Sequence, residues 1–202
     1  NLSELVFQKI KNDIFDFKLM PGERFTESEI AESYAVSRTP IRQALYRLQQ
    51  EGYVEVQFRS GWKVRSLDFK VYEELYDLRI LLEGYAVEQL CQMPKDQLQV
   101  ALAVLIQTWC IQPEQYIYDL RRLSVEDEAF HCHLVLAAGN AEMAKIHSEI
   151  SEKIRIIRRL DFSKDYRVTA TYAEHQQILK ALLAQDAAFC LSILDAHIRH
   201  SR

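Results

Sequence analysis

The stretch Ser37-Arg38-Thr39-Pro40-Ile41-Arg42-Gln43-Ala44-Leu45-Tyr46-Arg47-Leu48 decides the fold of the first part of the chain. Ser37 is a typical helix N-cap, and Pro40 is tolerated in a helix because it falls in the first turn. Three aliphatic side chains recur at helical spacing and predict a buried face: Ile41, Leu45 and Leu48. The exposed N-terminal end then carries polar side chains: Arg38, Thr39 and Arg42. Such an arrangement is typical of a helix that recognises DNA, although an ordinary surface helix with three arginines has the same pattern.

The residues before this helix predict a helix-turn-helix. Residues 21–25 read Pro-Gly-Glu-Arg-Phe and predict a turn. Thr26 and Glu29 have the spacing of a capping box, which marks the start of a short helix. The side chains expected to point inward from that helix are Ile30, Ala31, Tyr34 and Ala35. The link from it to Ser37 is too short for anything but a tight helix-turn-helix.

Two alternating segments follow Gly52, where the recognition helix is expected to end. Residues 53–56 and 62–65 alternate apolar and polar side chains, and Phe58-Arg59-Ser60-Gly61 joins them. This pattern predicts a β-hairpin with a basic tip. The helices and the hairpin wing together predict a winged helix-turn-helix domain in residues 1–66.

A second domain is required, because 202 residues exceed one winged helix by roughly one domain of usual size. We place it at residues 67–202. Of all residues 49% are hydrophobic, which suffices for a packed core, yet no apolar run is long enough to cross a membrane. No secretory signal is visible, and the four cysteines lack CxxC spacing, which favours a reduced, cytoplasmic protein. Residues 1–66 hold 10 basic against 9 acidic side chains and residues 67–202 hold 15 against 20, so the acidic excess lies in the second domain.

The second domain is predicted to be all helical, because residues from 68 onward show helical periodicity without strand alternation. Turn signals near residues 93, 112, 139, 162 and 185 divide it into about six helices. The first of these is expected to be amphipathic and to cross the bundle. Its predicted inward stripe is Val71, Leu75, Leu78, Leu82, Tyr85 and Gln89. The fold class is therefore mainly α, a winged helix-turn-helix followed by a six-helix bundle.

Four side chains of the helical part are candidates for a metal site. Asp127 and His131 lie one helical turn apart, so both project from one face of a helix. His175 and His197 belong to two further predicted helices. The spacing alone leaves two interpretations open, a shared metal ion and ordinary helical histidines.

The run from Leu5 to Ser66 resembles the N-terminal domain of the GntR family of bacterial transcription regulators. The matching pieces are Pro21-Gly22, residues 37–42, Ala44-Leu45, Leu48, Glu51-Gly52 and Gly61. The resemblance implies that the recognition helix contacts bases and phosphates of double-stranded operator DNA and that the wing tip enters the minor groove. The DNA-binding candidates are Ser37, Arg38, Thr39, Arg42, Arg47, Arg59 and Gly61. Ser28 stands where a fatty-acid-responsive relative has a DNA-contacting basic residue, so operator preference should differ from that relative's.

Residues 67–202 resemble the FCD effector domain of the FadR subfamily, in its six-helix, VanR-like form. That pattern has an Asp and a His one turn apart before Ala-Gly-Asn, then a Glu-His, then a His-Ile, and all are present here. The resemblance implies one divalent metal site with four ligands: Asp127, His131, His175 and His197. One carboxylate and three neutral imidazoles suit zinc or nickel and leave room for a bound carboxylate effector.

Two arginines are expected to bind the effector. Arg79 matches a family arginine that reaches toward an acidic effector, and a guanidinium suits a carboxylate. The alternative for Arg79 is a surface pair with Glu83, four residues along the same helix. Arg159, from a basic cluster at residues 153–159, is the second candidate, with a solvated face as its alternative.

The expected function is an effector-responsive transcription regulator, a repressor of a metabolic operon that binds a palindromic operator as a homodimer. It is expected to sense a small carboxylate through the metal-containing pocket. A metal-dependent enzyme fused to a DNA-binding module is the first alternative, but the chain has no HExxH motif and no nucleophile elbow. A regulator whose metal is purely structural is the second.

Overall fold

The computed structural model describes residues 2–59, 61–164 and 166–201. The chain divides into two compact units, Asn1–Asp68 and Phe69–Arg202. Within its described residues, the first unit has three helices and three short strands: α1 Leu2–Phe15, β1 Arg24–Phe25, α2 Glu27–Ser33, α3 Arg38–Gln50, β2 Val54–Gln57 and β3 Gly61–Val64. The winged helix-turn-helix predicted from the sequence is confirmed.

The two helices of the helix-turn-helix begin as the sequence predicts. The Thr26 hydroxyl accepts the Glu29 amide N–H at 3.2 Å, and the Glu29 carboxylate accepts the Thr26 amide N–H at 2.7 Å, which completes the capping box. Ser37 is the N-cap of α3 by its backbone, but its side chain makes no capping hydrogen bond. The three predicted inward side chains of α3 are buried: Ile41, Leu45 and Leu48.

The inward placement of Ala35 was wrong. Helix α2 ends at Ser33, and Ala35 is exposed in the turn before α3 with φ of 53°. The helix therefore ends before Ala35, and Ala35 does not continue its buried face. Tyr34 is half-buried, and its hydroxyl donates to the Asp13 carboxylate on α1 at 2.6 Å, which fixes the turn against the first helix.

The wing contains one strand more than the hairpin predicted. Strand β3 pairs with β2 on one side and with β1 on the other, both antiparallel. The Arg24–Phe25 strand lies in the segment predicted only as a turn, because two residues are too few to show alternation. Gly61 has φ of 87°, and a Cβ there would approach the Phe25 carbonyl oxygen to 2.6 Å, so this position requires glycine. Ser60 of the predicted wing tip lies outside the described residues.

The second unit is all helical. Its described helices are α4 Phe69–Cys91, α5 Lys95–Trp109, α6 Leu120–Ala137, α7 Ala141–Lys153, α8 Arg155–Asp161, α9 Arg167–Leu183 and α10 Ala187–His200. The predicted fourth helix is divided at Ile154, although hydrogen bonds to Ile150 and from Arg158, both 3.0 Å, continue across the break. None of the helices in the described ranges has the length and hydrophobicity needed to span a membrane.

The predicted stripe of α4 was wrong in part, because Leu82 packs against the buried side chains of Ala86, Val135 and Met143 but other members do not point inward. The side chains that α4 buries are Tyr76, Arg79, Glu83, Ala86, Val87 and Leu90. Three members of the predicted stripe are instead exposed by nearly half: Val71, Leu78 and Tyr85. The sequence pattern failed because it assigned charged side chains to solvent, whereas α4 turns an arginine and a glutamate into the core of the bundle.

Candidate functional site

The N-terminal end of α3 presents the predicted DNA-contacting side chains together. Ser37, Arg38, Thr39 and Arg42 are all exposed. Both arginines form ion pairs with one carboxylate of α2: the Arg42 Nη2 to Glu27 Oε2 distance is 2.8 Å, and the Arg38 Nη2 to Glu27 Oε2 distance is 3.2 Å. Hydrogen bonds from Arg42 and Arg38 hold the pKa of Glu27 below its usual value.

The three other predicted DNA contacts lie elsewhere. The guanidinium of Arg47 lies 3.7 Å from the ring centre of Phe7 and pairs with Glu4 at 2.6 Å and Glu51 at 3.2 Å, so contacts within the domain hold it. Nine residues of helix turn Arg47 about 180° from Arg38, which explains why the two diverge. Arg59 is exposed beside Gly61 at the wing. Contacts of Arg47, Arg59 and Gly61 with DNA stay predictions.

The four candidate metal ligands meet inside the helical unit. Helix α6 supplies Asp127 and His131, α9 supplies His175, and α10 supplies His197. All four residues are buried, and one ligand atom from each lies within 4.8 Å of the others. The side chains thus come from three helices that the sequence could not place next to one another.

Two carboxylates fix the orientation of two of these histidines. Glu83 Oε2 lies 2.7 Å from His131 Nδ1, and Glu174 Oε2 lies 2.7 Å from His197 Nδ1. A carboxylate can only accept, so each Nδ1 carries a hydrogen and each Nε2 is turned toward the other ring. These two Nε2 atoms are 3.0 Å apart. At that distance the two nitrogens can share a proton or hold a metal ion between them.

The other two ligands can hold a cation in the same way. His175 Nε2 lies 3.2 Å from Asp127 Oδ1, but among the described residues neither atom has a partner in hydrogen-bond geometry. Four ligand atoms around one tetrahedral zinc are about 3.4 Å apart, given ligand bonds near 2.0–2.2 Å. Separations here of 3.0, 3.2, 3.8 and 4.0 Å bracket that value. This donor set therefore fits a divalent metal ion.

The protonation of the cluster suits metal binding. Burial and the nearby charge of Arg79 lower the pKa of His131 well below its usual range, and burial lowers the pKa of His175 to about 4. Burial opposes the charge of Asp127, but His175, His131 and the Arg158 guanidinium hold its pKa well below the usual value. At neutral pH His131 and His175 are neutral and Asp127 is charged, as metal ligands must be.

Three buried guanidinium groups surround the cluster. Arg79 Nε donates to Glu83 at 2.6 Å, Arg158 Nε donates to Asp127 at 2.9 Å, and Arg167 Nε lies 3.0 Å from Asp161. In the described part of the chain, the Nη2 atom of each of these arginines lacks a hydrogen-bond partner. Arg79 is thus anchored through Nε, whereas Arg158 is anchored through Nε by Asp127 and through Nη1 by Glu128, at 3.2 Å, and each keeps its Nη2 donors.

The alternative expected for Arg79 is half right. Arg79 does pair with Glu83, but the side chains are 1% and 0% exposed, so this is no surface pair. Of the basic cluster, Arg158 is the residue that contacts Asp127, whereas Arg159 is half-buried. Neighbouring residues of a helix point about 100° apart, which separates the two. A role for Arg159 stays a prediction.

Sequence reasoning missed several side chains of this site. Glu83, His147, Arg167 and Glu174 had no assigned role in it, and Arg158 was one of three arginines, with Arg155 and Arg159, of which one was expected to face the pocket or all to face solvent. His147 is buried, with Nε2 2.9 Å from Glu83 Oε1. The spacing of Arg79 and Glu83 was a visible signal, but nothing in the sequence shows that their pair is buried.

A cavity of about 640 Å³ lies between α4, α8 and the end of α10. Its apolar lining includes Phe69, Tyr72 and Ile157. Tyr76 also lines it, and the ring centre of Tyr76 lies 5.7 Å from the guanidinium carbon of Arg79. The wall of the cavity thus reaches the arginines around the cluster.

A winged helix-turn-helix with arginines exposed on its recognition helix, followed by an all-helical domain, defines a class of protein: the DNA-binding transcription regulators. Residues 2–64 match the family described as "Bacterial regulatory proteins, gntR family", and residues 74–200 match the FCD domain. The chain belongs to the GntR family and carries an FCD domain.

Relatives of the chain are regulators too. It is 34% identical over 183 residues to the Nta operon transcriptional regulator of Aminobacter aminovorans, covering 91% of this chain and 84% of that protein. It is 25% identical over 178 residues to the gluconate operon transcriptional repressor of Bacillus subtilis (strain 168), covering 86% and 72%. These relatives and domains make the protein a transcription regulator and not an enzyme.

Solved structures share the fold. The E. coli McbR/YncC structure has a TM-score of 0.70 at 19% identity, covering 99% of this chain and 94% of that chain. A putative GntR regulator from Rhodococcus sp. RHA1 has a TM-score of 0.71 at 18% identity, covering 98% and 94%. At these identities the likeness shows the fold alone.

Proposed function

We propose that this regulator senses a small carboxylate through a metal-containing pocket and, as a homodimer, represses a metabolic operon by binding a palindromic operator. The observation that carries the proposal is the buried meeting of one ligand atom each from Asp127, His131, His175 and His197 within 4.8 Å, where in the described residues Asp127 Oδ1 and His175 Nε2 lack hydrogen-bond partners. A buried donor set that lacks a cation is costly, whereas a divalent ion satisfies all of it.

Asp127, His131, His175 and His197 are the proposed ligands, and zinc or nickel is the proposed ion. When bound, such an ion supplies a positive charge with room for further oxygen ligands. Glu83 and Glu174 hold two of the histidines with their Nε2 atoms toward the ion. The chain's own contribution is thus a rigid, correctly protonated donor set.

The guanidinium donors next to the cluster support an acidic effector. Arg79 and Arg158 are each held by a carboxylate through Nε, and in the described residues the Nη2 atom of each lacks a hydrogen-bond partner. A carboxylate is the group that such guanidinium donors bind best. The cavity lined by Tyr76, whose ring centre lies 5.7 Å from the guanidinium carbon of Arg79, is the proposed entry for a small molecule. The relatives named for the Nta and gluconate operons support a metabolic target.

An exposed apolar stripe on α4 supports the homodimer. Leu78, Leu81 and Tyr85 are spaced by three and four residues, so they share one face of the helix, and each is at least 46% exposed. A second copy of the chain is the proposed occupant, because a two-fold dimer matches a two-fold operator.

Elemental analysis of purified protein tests the metal site. We expect about one divalent ion per chain, and we expect His175→Ala and His197→Ala to lose it. His133→Ala is the matched control, because His133 Nε2 lies 3.3 Å from the Ala101 carbonyl and outside the cluster. Equal loss in the control, or full retention in the two ligand variants, would overturn the site.

Thermal melts then separate a sensor from a structural clamp. Metal alone should raise the melting temperature in both cases. Only a sensor should be stabilised further when a panel of small carboxylic acids is added to the metal-loaded protein. No further shift with any acid would favour the purely structural metal.

A further inference from the structure

One carboxylate sits between the two arginines of the recognition helix. Glu27 lies in the first turn of α2, and its side chain is 15% exposed, against 53% for Arg42 and 60% for Arg38. Arg42 donates to it through Nε at 3.0 Å and through Nη2 at 2.8 Å, which is a bidentate pair. Arg38 adds a third hydrogen bond through Nη2 at 3.2 Å.

This pairing leaves the outer side of the Arg42 guanidinium open. A guanidinium has five N–H donors, and Glu27 binds the side formed by Nε and Nη2. The Nη1 donors and the second Nη2 donor remain for another acceptor. A guanine presents the O6 and N7 acceptor pair that such an end-on guanidinium recognises in the major groove.

We propose that Glu27 is a specificity-determining residue, which positions Arg42 and Arg38 so that their remaining donors meet base edges in a fixed orientation. Two physical effects support it. Side chains held in the binding geometry before contact lose less freedom on binding. A carboxylate close to the DNA also weakens the sequence-independent attraction to phosphates, and thereby widens the gap between specific and non-specific binding.

A role in folding is a weaker explanation for Glu27. Exposed ion pairs contribute little to the stability of a domain. The start of α2 is already capped by Thr26 and Glu29, which satisfy each other's backbone N–H groups. Replacing Glu27 by its amide isostere should therefore leave the helix-turn-helix folded.

The test compares discrimination between DNA sequences, not affinity alone. The wild-type protein first selects its preferred operator from a pool of randomised duplexes. Dissociation constants are then measured at one salt concentration for that operator, for each single base-pair substitution of it, and for an unrelated duplex. Glu27→Gln is compared with Glu32→Gln, which removes the same charge from an exposed position of the same helix.

We expect Glu27→Gln to lower discrimination at one or two base pairs of each half-site by about fivefold or more, the lower end of what a bidentate base contact provides. Affinity for the unrelated duplex should stay the same or rise. Glu32→Gln should leave the discrimination at every base pair unchanged. In the Arg42→Ala background, Glu27→Gln should have no further effect at the base pair that Arg42 reads.

Glu27→Asp separates position from charge, because it keeps the carboxylate but shortens the side chain by one methylene. We expect it to lose discrimination as Glu27→Gln does, with no gain in non-specific affinity. Wild-type discrimination in both variants would overturn the proposal. It would also be overturned if Glu27→Gln changed all affinities by one common factor, because that result means that Glu27 acts through its charge alone.

Discussion

At the scale of single residues, Glu83 connects Arg79, a proposed effector-binding residue, with His131, a proposed metal ligand. Its Oε1 accepts from Arg79 at 2.6 Å and lies 2.9 Å from His147 Nε2, while its Oε2 lies 2.7 Å from His131 Nδ1. Burial raises the pKa of Glu83, but the charge of Arg79 and the contacts with His131 and His147 together hold it well below its usual value. A ligand that moves Arg79 must therefore also disturb a proposed metal ligand.

Glu174 provides the cleanest test of how the histidines are oriented. It is half-buried and holds His197 through Nδ1, so Glu174→Ala frees the ring without opening the centre of the cluster. We expect metal affinity to fall about 10–100-fold, as is usual when such a partner is removed. Competition with a chromophoric chelator measures this. Glu88→Ala, an exposed acid on α4, is the control, and equal affinities in the two variants would contradict the assignment.

Arg38 and Arg42 are expected to carry operator recognition. Each lost base contact costs about 1–3 kcal/mol, so Arg38→Ala and Arg42→Ala should each weaken specific binding by roughly 5–150-fold. Both side chains are exposed, and the fold should survive. Gel shifts at fixed salt decide it, with Lys145→Ala of α7 as a matched loss of one exposed charge. Unchanged affinity in both arginine variants would remove the recognition-helix assignment.

At this scale the sequence named the four side chains that meet in the buried cluster, but not the carboxylates that contact them. Asp127 and His131 share one helical turn, and the family pattern supplied His175 and His197. Glu83 and Glu174 were missed because each acts on a histidine of another helix, a relation that no spacing within a segment reveals.

At the scale of elements, α4 buries charged side chains on one face and exposes apolar side chains on the other. Its inner face carries the buried pair of Arg79 and Glu83, while its outer face exposes Leu78, Leu81 and Tyr85. A hydrophobic pattern alone predicts the opposite. The length of α4 and the helix ends near residues 93, 112 and 139 were predictable, because proline and glycine mark them directly.

Leu81→Glu tests the apolar face of α4. Leu81 is 69% exposed, so the change should leave the fold intact but place a charge in the proposed interface. We expect sedimentation to show a dimer for the wild type and a monomer for the variant, with weaker operator binding because one half-site contact is lost. Leu136→Glu, at an exposed leucine of α6, is the control. A Leu81→Glu variant that remains dimeric would place the interface elsewhere.

At the scale of the molecule, the second unit follows the first directly in the sequence. The second unit begins at Phe69 with α4, the helix that carries Arg79. The two-domain plan was visible in the sequence, because helical periodicity replaces strand alternation after residue 66. Which helices meet to form the histidine cluster was not visible, because packing between distant segments leaves no periodic signal.

Arg79→Lys tests whether Arg79 transmits the effector signal. Truncation to alanine would leave Glu83 buried and unpaired, a costly change. Lysine keeps a cation for Glu83 but removes the bidentate donors. We expect normal operator binding and no response to an acid that regulates the wild type. A full response, at concentrations of the acid that saturate both proteins, would clear Arg79 of this role.

The most direct measurement for the whole account is the operator affinity of metal-loaded protein with and without an acid that raises its melting temperature. A regulator that senses the acid must bind it differently in its two arrangements, since equal binding would shift nothing. We predict a change in operator affinity of about 5–150-fold, which corresponds to a coupling free energy of 1–3 kcal/mol. An acid that stabilises the protein while the operator affinity stays the same would contradict the proposal that this site controls DNA binding.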